Sequence, residues 1–127
     1  MSADEVEGPM PLHLAMAPGR ITTAQMVRAC VRGLLIPRFH YVNGLLNPRE
    51  ALMTGLTREG TFLIEDGKLA APVTTLRFTQ NIVEAFRHVV GISKERRLVA
   101  DPSTGFGCAL MPTVHLKRFQ FTGRSES

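Results

Sequence analysis

The fold is decided by residues 51–79, which have the sequence ALMTGLTREGTFLIEDGKLAAPVTTLRFT. Three runs rich in apolar and threonine residues, at positions 51–57, 61–65 and 72–79, have the composition of β-strands. Asp66-Gly67, between the second and third runs, is typical of a type I′ hairpin turn. The stretch therefore predicts a meander of antiparallel strands.

Two helices flank this meander in the sequence. Thr22 and Gln25 have the spacing of a capping box, which predicts a helix over 22–33 that Gly33 ends in a left-handed cap. Asn81 begins a second predicted helix in the same manner, and Gly91 ends it. Both helices carry apolar side chains at spacings of three and four, so each should pack one face on the sheet.

The outer parts of the chain add further strands. A short strand is predicted over 12–16, and another over 34–43 with Pro37 at an edge or a bulge. In 113–121 the apolar residues share one face only if a bulge lies near Lys117-Arg118. In total the pattern predicts about six strands and two short capped helices. We therefore expect an α+β domain with a curled, barrel-like and mainly antiparallel sheet.

The 127 residues have the length of one domain, which excludes a two-domain enzyme. We expect a disordered acidic tail over residues 1–9, the folded domain over 10–123, and a frayed tail over 124–127. No apolar run has the length of a membrane helix, and the acidic N-terminus does not resemble a signal peptide. These features predict a cytoplasmic protein that does not bind a membrane.

The charge distribution argues against a nucleic-acid-binding surface. The net charge is +4, and residues 9–127 carry fifteen basic against eight acidic side chains. Most basic residues nevertheless stand singly, and only residues 94–97 and Lys117-Arg118 form clusters. No basic helix, aromatic RNA-binding strand or zinc-finger spacing accompanies them, so a solvated surface explains the charge more simply.

The residues that could carry chemistry are few. Cys30 falls on the apolar face of the first predicted helix, which indicates a core residue, and Cys108 follows the turn-rich segment 101–107. Free thiols are expected, since a chain of this size does not need a disulfide framework. No histidine stands three or four residues from another histidine or from a cysteine, as ligands on one helical turn would; the four are His13, His40, His88 and His115.

The segment 101–107 contains no recognisable catalytic motif. Gly105-Phe106-Gly107 lacks the Lys-Ser or Lys-Thr of a phosphate loop, and Ser103-Thr104 has no adjacent histidine to activate a hydroxyl. The sequence accordingly predicts no catalytic residue, no cofactor-binding residue and no metal ligand in this chain.

The central stretch carries a family resemblance. Residues 55–68, GLTREGTFLIEDGK, are followed by Pro72-Val73, Arg77-Phe78 and the closing MPTVHLKRFQFTG of 111–123. These segments resemble the C-terminal domain of the TldD/PmbA proteins. That family is also called the modulators of DNA gyrase and includes the microcin-processing metalloproteases. The resemblance extends over nearly the whole chain.

The resemblance implies a zinc peptidase whose metal site is elsewhere. In the family an HExxxH helix upstream of this domain holds zinc, and this chain contains no His-Glu dipeptide. Two histidines four residues apart, with a glutamate as general base, are what such a site needs. The resemblance also implies a cysteine ligand from the C-terminal domain. Cys108 is four residues before Pro112, closer to the closing strand than that cysteine, so the ligand role is not assigned to it.

Two functions follow from the resemblance. The chain is either the C-terminal domain or a fragment of a TldD/PmbA-type metallopeptidase that acts on unfolded peptides, inactive alone, or a stand-alone non-catalytic partner module. Its expected partner is a chain with the HExxxH domain, or a second copy of itself in a dimer. A nucleic-acid-associated basic domain is a distant third alternative.

Overall fold

The computed structural model describes residues 13–100 and 108–124. The elements, in chain order, are β1 His13–Ala15, α1 Thr23–Ala29, β2 Arg32–Leu35, β3 Phe39–Asn47, a 3-10 helix Pro48–Glu50, β4 Leu52–Thr57, β5 Phe62–Glu65, β6 Lys68–Pro72, β7 Leu76–Asn81, α2 Ile82–Phe86, β8 Val89–Val99, β9 Cys108–Leu116 and β10 Phe121–Arg124. Within these ranges no helix has the length and apolar character needed to cross a membrane.

The predicted tails fall largely outside this part of the chain. The predicted disordered tail 1–9 lies outside the described residues, as do residues 125–127 of the predicted frayed tail. Arg124, also assigned to that tail, instead pairs with Leu76 at the end of β10.

The described strands form three sheets, with the orders β1–β9–β8, β10–β7–β4–β3 and β2–β5–β6. Every pairing between these strands is antiparallel except that of β1 with β9. The α+β class with mainly antiparallel sheets is thus confirmed, and none of the three sheets closes on itself. The described residues form ten strands where about six were predicted. Two predicted strands, 34–43 and 113–121, are each divided between two sheets, and β6 and β8 are additional strands that were not counted.

The turn between β5 and β6 confirms the hairpin prediction. Asp66 and Gly67 have φ values of 49° and 77°, the left-handed conformations that a type I′ turn requires. The Gly67 N–H donates to the Cys30 carbonyl over 2.9 Å, and a Cβ at Gly67 would lie 2.5 Å from the Arg28 carbonyl oxygen. The turn therefore packs closely against the end of α1.

Helix α1 begins as predicted but ends earlier. The Thr22 hydroxyl accepts from the Gln25 N–H over 3.1 Å, and the Gln25 side chain accepts from the Thr22 N–H over 2.8 Å, which confirms the capping box. The predicted end at Gly33 is wrong, since the helix ends at Ala29 and Cys30 is extended. Gly33 instead lies in β2, because the backbone here pairs with β5 as an antiparallel strand.

Helix α2 is also shorter than its apolar pattern. The Asn81 side chain accepts from the Glu84 N–H over 2.9 Å, as an N-cap should, and the helix ends at Phe86. The predicted end at Gly91 is wrong, since Val89 begins β8. Sheet pairing with β9 outweighs helical spacing in a segment of β-branched residues.

The last predicted strand divides where a bulge was expected. Strand β9 ends at Leu116, and β10 begins at Phe121 in a different sheet. Phe119 lies between the two strands in the sequence, and its ring stacks on Phe39 with ring centres 5.7 Å apart. Pro112 lies inside β9, opposite Arg96 and next to the place where the register with β8 shifts.

The fully buried apolar core is small. Among the described residues, four hydrophobic side chains are buried, namely Met26, Ile64, Phe78 and Ala85. The Phe78 ring is 0% exposed and lies 4.6 Å from the Phe39 ring and 5.1 Å from the Phe119 ring, centre to centre. We refer to Phe39, Phe78 and Phe119 as the phenylalanine cluster, which packs at the sheet β10–β7–β4–β3. The space between the sheets is open.

Candidate functional site

The four histidines lie in separate parts of the fold. His13 lies in β1, His40 in β3, His115 in β9, and His88 between α2 and β8. Residues 13–100 and 108–124 contain no group of three or more histidine, cysteine, aspartate and glutamate side chains placed to hold a metal ion. Two smaller groups do form: Cys108 contacts His13, and Glu84 contacts Arg87 and His88.

Cys108 and His13 form a thiol–imidazole pair at the surface. The parallel register of β1 and β9 places the two residues side by side, and Cys108 Sγ lies 3.4 Å from His13 Nδ1. They are 95 residues apart in the chain, so their spacing gave no sign of the contact. Only the pairing partner of β1 could have predicted it, and a three-residue strand does not specify one.

The Cys108–His13 pair supplies two donors that zinc accepts. A structural zinc site usually has four protein ligands, and a catalytic site three with water. The described residues around this pair offer no third ligand, so they do not form a zinc site by themselves.

Glu84 is the centre of an exposed ionic cluster on α2. Its Oε1 lies 3.0 Å from His88 Nε2, and its Oε2 accepts from Arg87 Nη1 over 3.5 Å. The spacings of three and four residues are those of neighbouring side chains on one helical face. This cluster supports the short helix and its C-terminal turn, and it needs no catalytic role.

Cys30 lies half-buried where a core position was predicted. The side chain borders an open groove, and a Cβ at Gly33 would approach its sulfur to 2.8 Å. Val31 falls within the helix predicted over 22–33, but it is 75% exposed because the helix has already ended.

An open groove lies between the sheets. It has a volume of about 570 Å³ and is bordered by α1, β2 and β9, with the phenylalanine cluster at one side. Its lining is mostly apolar and includes Met26, Val27, Leu35, Ile64, Val114 and Leu116. We refer to it as the α1–β2–β9 groove. The groove was not predicted, because its walls come from segments that are distant in the sequence and belong to different sheets.

The charged residues that line the α1–β2–β9 groove are both basic. Arg32 and Lys117 lie on its rim, and no aspartate or glutamate lines it. Neither of the two forms an ion pair with another described residue. The groove therefore combines an apolar surface with two basic residues, of which Arg32 stands opposite Glu65 in the β2–β5 ladder.

A carboxylate lies at the start of α1 and connects it to β8. Glu95 Oε2 accepts from the Thr23 N–H and from the Thr23 hydroxyl, each over 3.0 Å. The backbone hydrogen bond first, and the hydroxyl second, lower the pKa of Glu95 below its ordinary value of 4.5. The anion also lies near the positive end of the α1 dipole.

The hydroxyl and glycine residues of segment 101–107 lie outside the described residues. This applies to Ser103-Thr104 and Gly105-Phe106-Gly107, so their predicted lack of a catalytic role stays a prediction.

Comparison with known proteins shows a matching family and a similar solved structure. Residues 2–123 match the family described as the PmbA/TldA metallopeptidase C-terminal domain. The structure is similar to that of TldE from Thermococcus kodakarensis, with a TM-score of 0.72 and 17% sequence identity over 86% of this chain. The match spans 23% of the Thermococcus chain, so this chain corresponds to about a quarter of that protein. No curated protein sequence matches the chain.

Proposed function

This chain belongs to the PmbA/TldD metallopeptidase family as a C-terminal domain, and we propose that it acts on unfolded peptides only together with a chain that carries an HExxxH metal site. The observation that carries the proposal is the family match over residues 2–123 in a sequence without a His-Glu dipeptide. The domain would form part of the peptide cleft, and the other chain would hold zinc.

The Cys108–His13 pair does not fit a complete zinc site. Zinc, held by the HExxxH-bearing chain, would activate water for peptide hydrolysis. The residues of this chain would bind and orient the polypeptide by backbone hydrogen bonds at an open sheet edge. Such bonds depend little on sequence, which suits a substrate class defined by the absence of folded structure.

A second function is favoured by the structural likeness to TldE. The chain would then be a stand-alone, non-catalytic partner that joins a complete TldD/PmbA-type chain. The two alternatives require different companions: the first needs a metal-bearing fragment that lacks its own C-terminal domain, and the second needs a full-length subunit.

A complementation experiment tests the proposal and separates the alternatives. The purified chain is mixed with an HExxxH-bearing fragment, or with the full-length subunit, and cleavage of a labelled unfolded peptide is measured with added zinc. We expect no cleavage by the chain alone and zinc-dependent cleavage with the fragment. A gain only with the full-length subunit would favour the partner role.

The matched control replaces the glutamate of HExxxH by glutamine in the companion chain, which should abolish cleavage without disturbing assembly. Stoichiometric zinc and strong hydrolysis by the isolated chain would contradict the proposal. No gain with either companion would also contradict it. Binding to nucleic acid that weakens steeply with salt would instead support the third alternative.

A further inference from the structure

We propose that the α1–β2–β9 groove binds an extended segment of the partner chain, one that carries alternating apolar side chains flanked by carboxylates and that adds as a strand to β2. This inference rests on the proposed function for the existence of a partner chain, and it deepens that function by naming the surface and the chemistry of the segment.

The apolar lining is the first argument. The groove has about 570 Å³ of space between α1, β2 and β9, and only two of its lining residues, Met26 and Ile64, are buried apolar side chains. Side chains that line an empty space lose the dispersion contacts of a packed interior. Insertion of several apolar side chains from another segment would restore those contacts and remove the lining from water.

The edge of β2 is the second argument. In the sheet β2–β5–β6, β2 pairs with β5 on one side and with no described strand on the other. Half of its backbone N–H and C=O groups point away from β5, and an unpaired strand edge is a template for an added strand. Four residues of β2, Arg32–Leu35, line the groove along this edge. A segment paired there would direct every second side chain into the apolar space.

The rim charge is the third argument and decides the chemistry of the segment. Arg32 and Lys117 line the groove without an ion-pair partner among the described residues, and no acidic side chain lines it. Carboxylates that flank the apolar residues of the segment would pair with both cations. A basic segment would instead bring like charges close to Lys117 and Arg32.

We refer to the paired residues 96–99 and 109–112 as the β8–β9 arm. The charge of this arm disfavours a second copy of it as the occupant of the groove. This arm exposes Leu98 by 70% and Val99 by 51%, which would suit an apolar groove. It also carries Lys94, Arg96 and Arg97 close by, so it would bring positive charge to a positive rim. The two basic residues at fixed positions on the rim likewise favour a partner segment of one sequence over substrates of variable sequence.

Peptide binding to the chain alone tests the inference. The probe is a fluorescein-labelled peptide, EVTLSVTLE, compared with its charge-reversed form, KVTLSVTLK, by fluorescence anisotropy at low salt. We expect the acidic peptide to bind at least about tenfold more tightly, since two charge pairs become two repulsions. Equal affinity for the two peptides would overturn the inference.

Charge reversal of the rim gives the reciprocal measurement. The double variant Arg32→Glu, Lys117→Glu should bind the lysine peptide in preference to the glutamate peptide. The matched control, Arg97→Glu, changes an equally exposed cation outside the groove and should leave the original preference intact. An unchanged preference in the double variant, or a reversal in the control, would overturn the proposed site.

The strand geometry has its own readout. Methylation of alternate backbone nitrogens on one edge of the acidic peptide should abolish binding, and methylation on the other edge should have little effect, because only one edge faces β2. Equal effects of the two methylation patterns would overturn the added-strand geometry. These measurements need neither zinc nor a companion chain. A failure here therefore leaves the proposed function standing, and a failure of complementation leaves the groove result standing.

Discussion

At the scale of single residues, buried polar side chains hold neighbouring segments together. The described residues bury four polar side chains, namely Thr57, Thr61, Gln80 and Ser93, and each forms a hydrogen bond. The Thr57 hydroxyl accepts from the Leu76 N–H over 2.9 Å, and the Gln80 amide oxygen accepts from the Gln120 N–H over 2.7 Å. These bonds satisfy backbone groups where the strand ladders end.

Ser93→Ala should destabilise the protein by about 1–3 kcal/mol. The Ser93 side chain is fully buried, accepts from the Thr113 N–H over 2.8 Å and donates to the Glu95 carbonyl over 2.6 Å. Alanine leaves both backbone groups without this partner at the irregular part of the β8–β9 ladder. The free energy of unfolding, measured by urea denaturation, checks the loss. The exposed Thr122→Ala serves as the control, and equal stabilities of the two variants would contradict this account.

At the scale of elements, local signals predicted the start of each helix and the central hairpin. The Thr22 and Asn81 caps and the Asp66-Gly67 turn depend on contacts within a few residues, so the sequence specifies them directly. The ends of the helices depend on competition with distant strands, as at Cys30 and Val89. Helix propensity alone does not show whether such a segment continues the helix or joins a strand.

The parts of the candidate site that the sequence did not predict are non-local. The Cys108–His13 contact requires the parallel partner of β1, and the groove requires the relative placement of three sheets. The lack of a complete metal site was predicted from the spacing of histidine and cysteine alone, and it stays a prediction.

The contact between α1 and β8 predicts a pH dependence of stability. The pKa of Glu95 is lowered by its bonds to Thr23, so the charged carboxylate stabilises the fold above its ordinary pKa and loses this effect as the pH falls through the lower folded value. Glu95→Gln should therefore show a smaller loss of urea resistance between about pH 6 and about pH 3.

The control for this prediction is Thr23→Ala, which removes the hydroxyl donor and keeps the backbone donor. Its Glu95 pKa, followed by NMR titration, should rise towards the ordinary value without reaching it. An acid profile of Glu95→Gln that is identical to the parent profile would show that the carboxylate does not stabilise the fold in this way.

At the scale of the whole molecule, stability depends on a few well-packed side chains. Phe78→Ala should cost about 3–5 kcal/mol, a large part of the roughly 5–15 kcal/mol typical of a domain. The ring is fully buried against Phe39 and Phe119, so its loss leaves a cavity at the centre of the four-stranded sheet. Urea unfolding followed by circular dichroism measures the change.

Leu69→Ala is the control for Phe78→Ala. Leu69 lies in β6 and is 50% exposed, so its truncation should cost far less. Comparable losses in the two variants would mean that stability is spread over the sheets and is not concentrated in the phenylalanine cluster.

The pairing of β1 with β9 has a consequence for synthesis of the protein. Their contact joins residues 95 positions apart, and β1 leaves the ribosome long before its partner strand is made. A nascent chain that stalls before residue 108 would keep the first strand without its sheet, open to chaperones and proteases. The sheet β1–β9–β8 can therefore form only after residues 108–116 have been synthesised.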